Sequence, residues 1–184
     1  MKLWLVRHAQ PLVEPGICYG RTDVRADALA TAECAGQLAA LLPTGLRVIT
    51  SPLQRCAQLA HALHAQRPDL AYQTDARLQE MDFGHWEGQA WHALDRSELE
   101  AWTTSFADYH AGGDGESVTA FMARIASAFD ALVDTNTDTG TVWITHAGVI
   151  RAMALLAQGI RSVAQASEWP LNAPKYGQWQ LLDL

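Results

Sequence analysis

The sequence predicts an α/β fold, a three-layer α/β/α sandwich built on a mainly parallel sheet with a small helical insertion. Three observations carry this expectation. Short apolar runs alternate with stretches of helical periodicity, the order in which helical crossovers join parallel strands. No internal repeat, low-complexity tract or linker interrupts residues 1–184, so one domain is expected. Only the stretch from about 90 to 115 departs from the alternation.

Lys2 to Val6 is an apolar run of strand length that ends in Arg7 and His8. Ala28 to Leu42 is rich in alanine and leucine, with Leu29, Ala32, Leu38 and Leu41 at helical spacing and Pro43 closing the helix. Leu46 to Thr50 is the second strand. Ser51-Pro52 has the form of an N-cap followed by proline in the first turn, opening a helix to about Leu63. Leu70 to Gln73 is a short third strand, Ser117 to Val133 a helix, Thr141 to Thr145 a fourth strand, and Gly148 to about Ala157 another helix. Tyr176 to Leu184 reads as a last strand at the sheet edge. The 90–115 stretch is rich in tryptophan and charge and ends in Gly112-Gly113-Asp114-Gly115. It reads as a helical insertion with a flexible return, a candidate cap over a site.

Composition narrows the function classes. At 184 residues the chain is long enough to bury a core without disulfides. Its Cys18, Cys34 and Cys56 are odd in number and widely spaced, which suits reduced thiols. No apolar run has the length of a membrane span, and the first is too short for a signal peptide, so a cytoplasmic protein without membrane contact is expected. The net charge of −7 disfavours a nucleic-acid partner. A few focused arginines still attract a small anion under such a charge. Oligomeric state stays open, a homodimer included.

In an open parallel sheet, ligands bind beyond the carboxyl ends of the strands. Three predicted strand ends carry chemistry: Arg7-His8, then Ser51 to Arg55, then Thr145-His146-Ala147-Gly148. Arginine offers a planar fork that matches phosphate oxygens, histidine a nucleophile that carries a covalent intermediate, and helix N-termini further donors. A fourth element is the loop from Leu78 to Gly88, with Glu80, Asp82 and Glu87 among glycines and aromatics. Such a tightly folded loop can hold a carboxyl group as a proton donor.

These motifs resemble the histidine phosphatase superfamily (phosphoglycerate mutase-like). The resemblance rests on Leu5 to Ala9, Ser51 to Cys56, Glu80 with Phe83 to Gly88, Gly113 to Ser117, and Thr145 to Arg151, in that family's order. Cys18 to Asp23, Ser51 to Cys56, and the Phe83 to Gly88 loop followed by Trp91 are similar to the alpha-ribazole phosphatase branch. The resemblance implies a metal-independent phosphomonoesterase that needs no cofactor. In it His8 becomes a phosphohistidine, Arg7, Arg55 and a protonated His146 hold the phosphoryl oxygens, and Glu80 moves the proton. Its implied partner is a small phosphorylated substrate, alpha-ribazole 5'-phosphate in the branch reading. Ala9 stands where the family usually has glycine, Gln10-Pro11 replaces a frequent acidic-threonine pair, and an expected asparagine is missing between Leu12 and Ile17. Gln10 is the candidate to take over that asparagine's phosphate contact.

Tyr19 and Gly20 are candidate substrate contacts in the branch motif, and Trp86 and Trp91 offer a stacking face for a heteroaromatic base. Trp102, Phe106 and Tyr109 belong to the same aromatic set, although Trp102 and Phe106 also suit a helix's core face. His61 and His64 are one helical turn apart without a third ligand and read as surface or packing residues, so no metal site is expected. His85 and His92 flank the aromatic loop as entrance or solvated positions, and Cys56 reads as a core thiol. The alternatives are a broad-specificity sugar or nucleotide phosphatase, a phosphoglycerate mutase, for which the chain is short, and a phosphate-binding module without turnover. The presence of both His8 and Glu80 speaks against the last.

Overall fold

The structure, a computed structural model, describes residues 1–134 and 140–184. Five strands, β1 (Lys2–Arg7), β2 (Arg47–Thr50), β3 (Tyr72–Thr74), β4 (Thr141–Thr145) and β5 (Trp179–Asp183), form one sheet in the order β3-β2-β4-β1-β5. The first four are parallel, and β5 closes the edge antiparallel to β1, with Val6 opposite Trp179. Among the described residues five α-helices accompany it: α1 (Ala28–Leu41), α2 (Gln54–Gln66), α3 (Arg96–Thr104), α4 (Val118–Asp134) and α5 (Ala147–Leu156). Among the described residues no helix is long and apolar enough to cross a membrane.

Strand alternation builds the three layers, because successive side chains point to opposite faces. Val6, Val48, Val142 and Ile144 pack on one face with Leu38 of α1 and Leu59 and Leu63 of α2. Leu3, Leu5 and Trp143 pack on the other with Phe121 and Ile125 of α4 and Ile150 and Met153 of α5. Strand β4 lies at the centre and is buried at all five positions. Its run Thr-Val-Trp-Ile-Thr is therefore nearly continuous in hydrophobicity rather than alternating.

Three expectations change in detail. Helix α2 starts at Gln54, with Leu53 rather than Ser51 as its cap residue. Its first amide is satisfied instead by Asp23 Oδ1 at 2.7 Å, while the Ser51 hydroxyl oxygen accepts from Leu53 N at 3.4 Å. Strand β3 lies later than Leu70 to Gln73; Leu70 is buried ahead of it, and only Tyr72 to Thr74 pair with β2. The return of the 90–115 stretch is packed, not free. A Cβ on Gly112 would collide with Phe83 O, and one on Gly84 with Ala111 O, so the two loops touch backbone to backbone. Helix α3, capped by Asp95, is the helical part of that stretch.

Candidate active site

The strands that carry Arg7-His8, Ser51 and His146 are neighbours, β1-β4-β2, so their carboxyl ends open onto one place. The His8 and His146 rings stand 5.2 Å apart. His8 Nδ1 lies 2.8 Å from the Ala9 carbonyl, which accepts its proton and leaves the Nε2 lone pair free. His8 is 2% exposed, and burial, with Arg55 next, lowers its pKa to about 3. The ring is therefore a neutral nucleophile at any physiological pH.

His146 is fully buried at the head of α5. Its Nδ1 accepts from Arg55 Nε at 3.3 Å, so Nε2 carries the proton and donates to Ser51 Oγ at 2.8 Å. Burial and then Arg55 push its pKa well below the ordinary value. This direction opposes the protonated His146 that the resemblance implies, because burial first, and then the neighbouring Arg55 cation, disfavour its charged form. Cys56 Sγ lies 3.5 Å from His146 Nε2, and burial pushes this thiol up, so it stays protonated.

Arg55 is also fully buried and donates to Gly20 O at 2.6 Å and Thr22 O at 2.8 Å. Gly20 permits this approach, since a Cβ there would strike Met81 O and Phe83 Cδ2. Arg7 donates to Pro174 O at 2.9 Å and lies over the Tyr176 ring, 3.9 Å from its centre. Its Nε is buried with no hydrogen-bond partner among the described residues.

Glu80 reaches the start of α5, where its Oε2 accepts from Gly148 N at 3.0 Å. Arg124 pins the loop that carries it, donating to Arg77 O at 2.7 Å and Gln79 O at 2.9 Å while paired with Glu116 at 2.7 Å. The neighbouring carboxylates are engaged elsewhere. Glu87 accepts from the amides of Arg21 and Phe83 and from the Thr22 hydroxyl, and Asp82 pairs with Arg21 at 3.0 Å.

Beside Glu80 opens a cavity of about 260 Å³ walled by Phe83, Trp91, Trp102, Phe106 and Trp169, with Arg151 also on its lining. The insertion supplies part of this wall. Of the two tryptophans proposed for stacking, Trp91 lines the cavity and Trp86 does not. Trp86 is fully buried beneath, tied to Glu98 Oε2 at 2.5 Å and stacked on Tyr109, and presents no face to a ligand. Gln10 is exposed and lines a separate cavity of about 170 Å³ with Glu33 and Gln37. His61 is exposed, His64 lies 3.3 Å from Leu70 O, and His85 pairs with Glu98.

Sequence reasoning missed Ser51 as the partner of His146, having read it as a cap. It also missed Tyr176, read as the start of a strand, and Trp169, which no local pattern marked. Tyr176 precedes β5 and stands 5.5 Å from the His8 ring, with its hydroxyl 2.7 Å from that of Tyr19.

Residues 3–174 match the histidine phosphatase superfamily (branch 1). No match was found among curated proteins. Among solved structures, TTHB049 from Thermus thermophilus is 29% identical with a TM-score of 0.72, covering 100% of this chain and 94% of that one. A phosphoglycerate mutase from the same organism is 30% identical with a TM-score of 0.71, covering 100% and 93%. The mycobacterial glucosyl-3-phosphoglycerate phosphatase Rv2419c is 24% identical with a TM-score of 0.80, covering 98% and 88%, a likeness of fold.

Proposed function

The chain belongs to the histidine phosphatase superfamily, and on that premise we propose that it hydrolyses phosphomonoesters through a phosphohistidine at His8. The observation that carries this reading is the His8 ring itself: neutral, its Nδ1 proton given to Ala9 O, and close enough to Arg55 and Arg7 to feel both charges. His8 Nε2 attacks phosphorus, and the bond from phosphorus to the ester oxygen breaks as the new N–P bond forms. Glu80 gives its proton to the departing oxygen. It then takes one from the water that attacks the phosphohistidine, which releases inorganic phosphate and restores His8. Arg7 and Arg55 neutralise the phosphoryl charge, the task on which this chemistry chiefly depends. Arriving phosphate competes with the Gly20 and Thr22 carbonyls for Arg55 and with the Pro174 carbonyl for Arg7. Its charge also favours a proton on His146. No metal is needed in this scheme.

The leaving group sits in the aromatic cavity beside Glu80, a lining suited to a flat heterocycle. With the branch motif around Cys18 to Asp23, this favours alpha-ribazole 5'-phosphate as substrate, in assembly of the cobalamin nucleotide loop in the cytoplasm. A phosphoglycerate mutase activity is the second reading, suggested by the likeness already described. The cavity's aromatic wall suits a carboxylate-bearing sugar acid less well.

The test is phosphate release in excess EDTA across phosphomonoesters, with His8→Ala as the blank. Preference for alpha-ribazole 5'-phosphate and its loss in H8A are expected. Even activity over sugar phosphates keeps the mechanism and removes the substrate. Interconversion of phosphoglycerates with a bisphosphate primer establishes the mutase instead. Undiminished activity in H8A removes the mechanism.

A further inference from the structure

Two tyrosines far apart in sequence meet at the phosphoryl pocket. The Tyr19 and Tyr176 hydroxyls lie 2.7 Å apart. The Tyr176 ring covers the Arg7 guanidinium at 3.9 Å and stands 5.5 Å from the His8 ring. The Arg55 guanidinium carbon lies 5.3 Å from the centre of the Tyr19 ring. The two hydroxyl-linked rings therefore lie against the three groups proposed to hold and attack the phosphoryl group. We propose that this Tyr19–Tyr176 pair is a further phosphoryl-binding element, donating one neutral hydrogen bond to a phosphoryl oxygen. The proposal rests on the phosphatase reading above and adds two residues to its site.

The proton count supports it. Two hydroxyls carry two protons, one of which fills the bridge between them and leaves the other to donate outward. Burial first, and then the Tyr176 hydroxyl, push the Tyr19 phenol up, so it stays protonated beside an anion. A hydroxyl adds a hydrogen bond without adding charge, which complements the two arginines in a buried pocket. A packing role is met by the rings alone, through their contacts with Arg7 and Arg55. Phenylalanine keeps those rings and removes the hydroxyls, so the two roles separate cleanly.

The experiment measures binding of inorganic phosphate and orthovanadate by calorimetry, with thermal unfolding, for wild type, Y19F, Y176F and the double variant. The double variant is expected to raise the phosphate Kd about ten- to a hundredfold, the range for a hydrogen bond to a charged group. One single variant should reproduce most of this and so identify the donor. A phosphate Kd in the double variant within twofold of wild type overturns the proposal, and any fall in Tm then marks a structural tie only. Wild type that binds neither anion and releases no phosphate overturns the phosphatase reading, a failure visible without any tyrosine variant.

Discussion

Acid should unfold this protein through its two site histidines. Both rings are neutral in the fold, His8 at about 3 and His146 well below the ordinary 6.5, with burial the main cause and Arg55 the next. Unfolded, each ring returns to about 6.5. Below that value the unfolded chain binds two protons that the folded chain refuses. The stability they contribute is complete above the unfolded pKa and is lost as pH falls towards the folded values. Once the unfolded imidazole is mostly charged, each ring gives a slope of about 1.4 kcal/mol per pH unit. From pH 7 to 5 this integrates to about 2 kcal/mol for His8, with His146 adding in the same direction, a sizeable part of an ordinary folding free energy. Urea unfolding followed by fluorescence of the seven tryptophans, at pH 5, 6 and 7 in phosphate-free buffer, measures it. His146→Gln removes one titrating ring, so its loss between pH 7 and 5 should be smaller than that of the wild type whatever its starting stability. Carboxylates titrate alike in both proteins and cancel from that difference. A level wild-type profile, or equal slopes in wild type and H146Q, would refute the reasoning.

Three further outcomes are expected. Gly20→Ala forces a Cβ into Met81 O and Phe83, which should cost about 1–3 kcal/mol in chemical unfolding and, by shifting the carbonyl that holds Arg55, raise the Ki for phosphate. Trp91→Ala opens the cavity wall; kcat/KM should fall about tenfold more for an aromatic nucleoside phosphate than for glycerol phosphate, and equal losses would place the leaving group elsewhere. Glu80→Gln should slow hydrolysis of alkyl phosphates by roughly a hundredfold or more. Its effect on p-nitrophenyl phosphate, whose leaving group departs without a proton, should be much smaller.

The legible parts of the fold were those under the strongest burial. Strand β4 and the apolar core of β1 could be read because both faces are covered, which leaves hydrophobic runs that no loop would carry. Strand β3 was misplaced because Gln73 and Thr74 are exposed at the sheet edge and carry no apolar signal, while buried Leu70 just ahead of them does. In the same way Ser51-Pro52 satisfied a local rule for a helix start, but a distant side chain, Asp23, won the cap. Trp86 and Trp91 look alike in sequence. Only packing decides that Trp86 is sealed beneath the loop and Trp91 is on the cavity wall.

The sequence by itself determined the alternating α/β layering and placed Arg7, His8 and His146 at strand ends and Arg55 in the first turn of a following helix, since period and chain order are local properties. Tertiary structure alone decided the strand order that makes β1, β4 and β2 neighbours, the neutrality of His146, and the meeting of Tyr19 with Tyr176. Those depend on which distant groups share one desolvated volume, and neither hydrophobic period nor residue spacing encodes that.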